Sequence, residues 1–521
     1  MMISLTIPSN LQALPPSFTD ITLKQWILLA GGIFIIHTLI SYVYNAYLHP
    51  LSKYPGPKLA SISDLWTSYF LCAGRWPWVV ESTLGKYGDI IRIGPNSLVF
   101  LEPQAFNDTH GPKRDLKDTF VKTPIVDGLG DEDDGLLWER NPEKHRRVSK
   151  MMSPVFSGNS LRAKVPTMNK YIDLMMTSIK EHGTRVEGIN LTTWLNWLCM
   201  DVAVDLSCSW ELHQVRDMKN HRFLDAMEAA NTLVVILATA KTYPILTPLA
   251  LLFVPWNVMR SLPRMISELR VHIIERIEAR DNLKHSDYFE QLLPSNKPAP
   301  KSTKQMRHML TVAGQLILGG YDPTSVTIYM MFFFILQNPE ALEQLEHEIR
   351  ETFSGYEDIE AESLRTMPWL NACLQETLRL SSAATHHSLP RISPGGIVNG
   401  EYIPKGVLCR SSLFAYSRSA RFFHDPRSFR PERWLQQDHP RYDPAFAKDD
   451  HSAHFPFITG PRQCPGREVA RIMFRLVVAK MLWLFDVEQV SKELDFDRDF
   501  RVYGMWTKPD LRVRLVPVQR G

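Results

Sequence analysis

Cys464 stands where a thiolate can be held. It lies in the run Phe457-Ile458-Thr459-Gly460-Pro461-Arg462-Gln463-Cys464-Pro465-Gly466, directly ahead of an apolar-periodic segment, residues 467–484, that predicts a helix. A cysteine that ligates a metal must stay deprotonated, and backbone N–H groups at a helix N-terminus stabilise its charge. The helix that opens after Pro465-Gly466 supplies them, from Gly466 and its first turn. Gly460 and Gly466 fit where a side chain would strike a flat macrocycle or bar an unusual backbone angle. Phe457 would shield the sulfur from water, and Arg462 would reach a carboxylate of the ligand. The run reads as a clamp offering one sulfur to a haem iron; the bland alternative is a structural cysteine in a turn.

Two further stretches carry polar residues among apolar ones. Residues 367–380 place Leu370, Leu374 and Leu378 at four-residue spacing, a helical stripe, with Glu376 and Arg379 three apart on another face. On spacing alone that pair is a surface ion pair worth about 0.3–0.5 kcal/mol. Residues 303–337 are mainly apolar and end at Asn338-Pro339, a cap followed by proline at the first position of the next helix. As one helix they would span about 50 Å. Pro323 inside this stretch has no N–H, so the Gly319 carbonyl loses its intrahelical partner and a kink is expected there. Thr324 is rotated about 100° from it around the helix.

The elements that must position these residues form one large unit. The chain has 521 residues and net charge +3. Its only dense charge cluster, Asp131-Glu132-Asp133-Asp134, is short, so nothing points to nucleic acid. The six cysteines (Cys72, Cys199, Cys208, Cys373, Cys409, Cys464) show neither zinc spacing nor the density of a disulfide scaffold, and five read as packing residues in a reducing compartment. Residues 26–44 are uncharged and mostly apolar, with Trp26, Tyr42 and Tyr44 near the ends, and are long enough to span a bilayer. Lys24 is the only Lys or Arg ahead of the span, whereas Lys53 and Lys58 follow it, which predicts residues 1–25 as luminal and the rest as cytosolic. The sequons at Asn107 and Asn190 then stay unmodified. Residues 45–57, with Pro50, Pro55, Gly56 and Pro57, read as a stiff hinge, and residues 58–521 as one catalytic domain. A hairpin is expected from residues 89–93 and 97–100 around Gly94-Pro95-Asn96, helices from 144 to 337, and strands near 396–415 and at the C-terminus. The fold class is α-rich α+β.

The pattern Phe-x-x-Gly-x-Arg-x-Cys-x-Gly, met at Phe457, Gly460, Arg462, Cys464 and Gly466, resembles the cysteine loop of the cytochrome P450 family. Glu376-x-x-Arg379 and Phe429-Arg430-Pro431-Glu432-Arg433-Trp434 resemble that family's Glu-x-x-Arg helix and following meander, in the right order. The resemblance implies the cytochrome P450 fold, a large helical domain plus a small β-rich region, here with an N-terminal transmembrane helix. It implies that Cys464 is the axial ligand of a haem b iron and that Glu376, Arg379 and Arg433 form a buried structural network. Arg391 matches a propionate-binding position; Arg146 is a second candidate, although Pro142 occupies the tryptophan slot expected four residues before it. Gly319-Gly320-Tyr321-Asp322-Pro323-Thr324 resembles the oxygen-activation element. There Gly319 and Gly320 would let the helix approach the iron, Asp322 would relay protons, and Pro323 takes the place of the usual alcohol, leaving Thr324 as a substitute.

The activity implied is insertion of one oxygen atom from O2 into an apolar small molecule, with electrons from NADPH through a separate NADPH-cytochrome P450 reductase that docks on the basic face around Arg147. The hinge resembles the form common in filamentous fungi. It suggests a terpenoid or polyketide intermediate of secondary metabolism, on an enzyme of the endoplasmic reticulum membrane with its catalytic domain cytosolic. Residues 123–127 and 381–388, with His386 and His387, are expected to line the substrate pocket, and residues 238–256 to form a channel lip dipping into the bilayer. The alternatives are a redox-neutral haem-thiolate isomerase or dehydratase, and a non-catalytic membrane-anchored haem binder.

Overall fold

The computed structural model describes residues 22–123, 135–243, 252, 254, 256–293, 296, 298–383, 390–490 and 492–519. Residues 124–127 and 384–388 of the expected pocket, His386 and His387 among them, lie outside these, as do most of the luminal segment, the acidic cluster and residues 244–251 of the expected lip. Helices of eight or more residues are numbered α1 to α13 in chain order.

α1 (Leu23–Val43) starts at a capping box formed by Thr22 and Gln25 and runs on through a π turn, Tyr44–Leu48. This continuous segment has mean hydropathy 1.9 and no buried residue, and it is long enough to cross a membrane. The helix is therefore longer at both ends than residues 26–44, and the non-helical hinge begins only at His49. That hinge is docked on the domain. Arg92 donates to the Asn45 carbonyl (2.7 Å), its N–H donates to Pro55 O (2.7 Å), Leu51 is fully buried, and Lys53 and Tyr54 both bond Glu401. Gly56 is required here, because a Cβ would sit 2.2 Å from the Arg92 carbonyl oxygen.

α2 (Leu65–Cys72) and α3 (Trp76–Tyr87) lead into a five-stranded sheet of order β1-β2-β8-β5-β3. Its strands are β1 (Ile90–Gly94), β2 (Ser97–Phe100), β3 (Val121–Lys122), β5 (Arg391–Ile392) and β8 (Leu408–Ser411). The expected hairpin forms with Gly94 paired to Ser97, so the turn proper is Pro95-Asn96. β4 (Ile189–Asn190), β9 (Phe485–Gln489) and β12 (Arg512–Pro517) make a three-stranded sheet; β6 (Gly396–Val398) pairs β7 (Glu401–Ile403), and β10 (Arg501–Val502) pairs β11 (Trp506–Thr507). The expected strand region 396–415 ends early: Leu413–Ser417 is a helical turn capped by Ser412.

The helical body comprises α4 (Pro103–His110), α5 (Pro142–Met152), α6 (Val165–His182), α7 (Leu191–Cys208), α8 (Arg222–Thr242), α9 (Trp256–Glu278), α10 (Thr303–Leu336), α11 (Pro339–Thr352), α12 (Pro368–Leu380) and α13 (Arg467–Leu484). α8 also passes a membrane-span test of length and composition, but it buries Phe223, Leu224 and Val235 in the domain. α10, capped by Ser302 and Gln305, runs unbroken for 34 residues through the core. From Tyr321 to Ile335 every residue is buried except Pro323 and Thr327. Asn338 caps differently from the expectation. Its side-chain amide donates back to Phe334 O (2.7 Å), closing the end of α10 rather than the start of α11.

Candidate functional site

The cysteine loop is a closed turn built by its own backbone. Cys464 N–H donates to the Phe457 carbonyl (2.9 Å) and Gln463 N–H to that of Gly460 (3.0 Å). The reversal puts β-branched Ile458 at φ +59°, a conformation such residues rarely take, and Gly460 at φ +75°. At Gly460 a Cβ would lie 2.3 Å from the His110 carbonyl, so this glycine lets the loop pack against the end of α4. Gly466 caps α13 at φ −81°; its Cβ would touch only the Cys464 sulfur, at 4.0 Å. The Cys464 side chain is solvent-accessible yet crowded by protein. Burial pushes its thiol up, while the Gly466 N–H and Arg467 pull it back. Phe457 packs on the core with Arg471 over its ring (5.3 Å).

Beside the loop lies a cluster of buried cations. Lys122 and Arg391 are cross-strand partners on β3 and β5, and Arg462 reaches over to donate to Glu139 O (2.5 Å) and Arg140 O (3.2 Å). His145 on α5 is buried among them. Burial lowers all four, and repulsion from neighbouring cations adds to it at Arg391, His145 and Lys122: Arg391 falls to about 9, Arg462 to about 10 against the attraction of Glu139, His145 to about 3, and Lys122 well below its usual range. Nε and Nη1 of Arg391 are buried without a hydrogen-bond partner. These residues line or adjoin a cavity of about 480 Å³ whose wall includes Lys113, Arg146, Lys150, Arg391 and Arg462. Arg146 is exposed on the rim; its buried neighbour His145 is the α5 residue that faces the cluster. A charge-dense site with orphaned donors fits a ligand bearing carboxylates.

Glu376, Arg379 and Arg433 come together as one buried network. Arg379 donates through Nε (2.8 Å) and Nη2 (2.7 Å) to the two Glu376 oxygens, and Arg433 Nε adds a third bond (3.1 Å). Arg430 N–H (2.9 Å) and the Trp434 indole (2.8 Å) complete the carboxylate's shell. The spacing-based surface ion pair is thus corrected: Glu376 is fully buried. Burial pushes its carboxyl up, but the two guanidiniums outweigh that and leave it below its ordinary value. Trp434 carries the network toward the cysteine loop, its ring centroid 4.6 Å from His451 and 4.8 Å from His454.

On α10, whose N-terminal half is largely accessible, Leu316, Gly319, Gly320, Pro323 and Thr327 form an accessible stripe that continues into the buried C-terminal half, where Pro323 and Thr327 alone between Tyr321 and Ile335 are not buried. Thr324 is buried off that stripe. The hydroxyl on the stripe belongs to Thr327, one turn beyond Pro323, and it donates to the Pro323 carbonyl (2.7 Å). The expected roles of the two glycines divide. Gly319 would meet nothing with a Cβ added, whereas a Cβ on Gly320 would stand 3.1 Å from that of Ala203, so Gly320 serves close packing against α7. Asp322 is buried, and burial, with Glu228 adding to it against the pull of Lys508, pushes its carboxyl up to about 6. Gln315, farther up α10, accepts from Leu136 N (2.8 Å) and Leu137 N (2.7 Å), tying the helix to the segment that holds Arg462.

Sequence reasoning missed His145, Lys122 and Thr327. Thr327 was findable from its four-residue spacing to Pro323. Among the described residues no group of three His, Cys, Asp or Glu could hold a bare metal ion, so the single sulfur suits a metal that brings its own ligands.

A sequence profile of the family described as Cytochrome P450 matches residues 77–512. The chain is 42% identical over 503 residues to the cytochrome P450 monooxygenase TwmD of Talaromyces wortmannii, covering 96% of this chain and 98% of the relative. It is 34% identical over 488 residues to btcC of Colletotrichum orbiculare, covering 93% and 92%, and 32% identical over 482 residues to poxC of Penicillium oxalicum, covering 92% of each; both carry the same description.

Proposed function

Since the chain belongs to the cytochrome P450 family, and is an oxygen-incorporating haem oxidoreductase, we propose that Cys464 holds the haem b iron and that Arg391, Arg462, His145 and Lys122 receive the propionates, with Arg146 at the cavity rim. The observation that carries this reading is the pair of orphaned buried Arg391 nitrogens beside the cysteine loop. When bound, the haem supplies oxygen activation, favoured by the electron-rich sulfur ligand.

The chain's own residues do the rest. Gly466 N–H stabilises charge on the sulfur. Glu376, Arg379, Arg433 and Trp434 brace the loop from behind. The α10 stripe walls the reaction space with aliphatic and glycine surface, excluding bulk water, while Asp322, its carboxyl raised to about 6, can give up and regain a proton close to neutral pH. Thr327, rather than Thr324, offers a hydroxyl on that wall.

The finer reading is an apolar substrate of terpenoid or polyketide type in secondary metabolism, oxidised with NADPH-derived electrons from a separate reductase at the endoplasmic reticulum membrane. It is supported by the apolar α1 segment and by relatives that are all fungal monooxygenases. Residues 26–44 would be the anchor, 45–57 the hinge and 58–521 the catalytic domain. The test pairs spectra with labelled oxygen. The reduced, carbon-monoxide-bound protein should show a thiolate-type band that Cys464→Ala abolishes. With reductase, NADPH and 18O2, one labelled atom should enter product; conversion under argon without NADPH would overturn the monooxygenase reading.

A further inference from the structure

Behind the accessible stripe, α10 joins a second polar centre. Lys508, in the turn after β11, donates from Nζ to Asn196 Oδ1 (3.0 Å) on α7 and to Ser325 Oγ (2.8 Å) on α10. Ser325 Oγ donates in turn to Asn196 Oδ1 (2.6 Å), and Asn196 Nδ2 donates to Glu228 Oε1 (2.9 Å) on α8. Tyr321 also bonds Glu228. Ser325 is fully buried, whereas Glu228 is exposed, so the cluster runs from solvent into the flank of α10 at Asp322.

Both acceptors of the Lys508 ammonium are neutral, which leaves its charge to act on the carboxyls around it. The charged or titratable groups facing Asp322 are Lys508 from the C-terminal turn and Glu228 from α8; Lys508 itself also feels Cys199 of α7. Burial pushes Cys199 up to about 12 and Tyr321 well above its usual value, so both stay neutral at working pH. Glu228 carries a like charge. Among the described residues, Lys508 is thus the one cation set against Asp322.

We propose that Lys508, held by Asn196 and Ser325, is the positioning residue that supplies the positive charge against which Asp322 takes up and gives out a proton. It serves from behind α10 a helix that has proline where an alcohol would otherwise stand. In each exchange the Asp322 O–H bond breaks, its proton leaves toward the accessible side of α10, and the carboxylate regains one proton from water at the Glu228 end; no electrons move. This rests on the haem monooxygenase reading.

The full-length holoprotein tests it through Lys508→Met and Lys508→Arg. An infrared titration reads the Asp322 carboxyl directly, its band identified by its loss in Asp322→Asn. Removal of the facing cation should move that titration upward by about one pH unit or more, and Lys508→Arg should restore it. Product formed per NADPH consumed should fall several-fold in Lys508→Met, with its pH profile displaced the same way. Should Lys508→Met not fold, Ser325→Ala, which removes one Nζ acceptor, must give a smaller displacement in the same sense. An unmoved Asp322 band in whichever variant folds overturns the proposal. A missing thiolate-type spectrum in the unmutated protein would instead overturn the haem reading, and the infrared band would still report on Lys508.

Discussion

Lys122 and Arg391 face each other as cross-strand partners on β3 and β5, two buried basic side chains. Like charges opposed in a sheet are destabilising, and Arg462 adds a third cation, against which Glu139 sets one carboxylate. A protein holds such an arrangement where a ligand returns the missing negative charge. On the proposed reading, two haem propionates would meet that requirement in charge and in acceptor count, since carboxylates can accept from the donors that Arg391 leaves unused.

Arg391→Met should therefore move two stabilities in opposite directions. The ligand-free protein should gain about 1–3 kcal/mol, because a buried cation without a partnering carboxylate is replaced by a shorter, flexible apolar chain. Haem retention should fall, read as the Soret-to-protein absorbance ratio after gel filtration. A variant that lowers both would mean that Arg391 is a structural residue only.

Glu376→Gln should cost about 3–5 kcal/mol at neutral pH, because it leaves buried guanidiniums uncompensated. The sign of the pH dependence follows from the lowered carboxyl. Its stabilisation is complete above the unfolded-state value of about 4.5 and is lost as pH falls through the lower folded value. Denaturant titrations should show the unmutated protein losing stability below about pH 4.5 more steeply than Glu376→Gln. Parallel curves would contradict the assignment.

What was legible in the chain was local. The Cys464 loop folds within ten residues and closes on its own backbone, so its motif carries its geometry. The bounds of α12 and α13 followed from periodicity, with Pro465-Gly466 ahead of the second. What stayed hidden depends on contacts between distant segments. Spacing alone placed Glu376 on the surface, because the carbonyls that surround Arg379, at Pro426 and Ser428, arrive from another part of the chain. Lys122 looks like an ordinary strand residue until β5 brings Arg391 opposite it. Arg146 was named by the family resemblance, yet α5 turns His145 inward. Lys508 carries no local signal at all, since its partners lie some 183 and 312 residues away.

Thr327→Ala and Thr324→Ala should differ in kind. Thr327 is on the accessible stripe with its proton on the Pro323 carbonyl, so its oxygen is free to accept from a group in the reaction space. Its loss should raise NADPH consumed per product by several-fold while leaving the melting temperature nearly unchanged. Thr324 is buried, and its truncation should cost about 1 kcal/mol of stability with little change in coupling. Equal uncoupling in the two variants would mean that burial does not separate their roles.

Asp322→Asn should trade stability against activity. The carboxyl is raised from 3.8 to about 6, so its ionisation destabilises the folded state. That penalty is absent below the unfolded value, grows as pH rises between the two, and is complete above the folded value. Two units correspond to about 2–3 kcal/mol at neutral pH. The variant should therefore unfold at higher denaturant than the unmutated protein at pH 7.5, with the advantage shrinking as pH falls toward 4. Product formation should drop by about tenfold or more, because an amide cannot cycle a proton. If Asp322→Asn were no more stable at pH 7.5 than the unmutated protein, the carboxyl would not be paying a desolvation cost, and its candidacy as the proton carrier of α10 would fail.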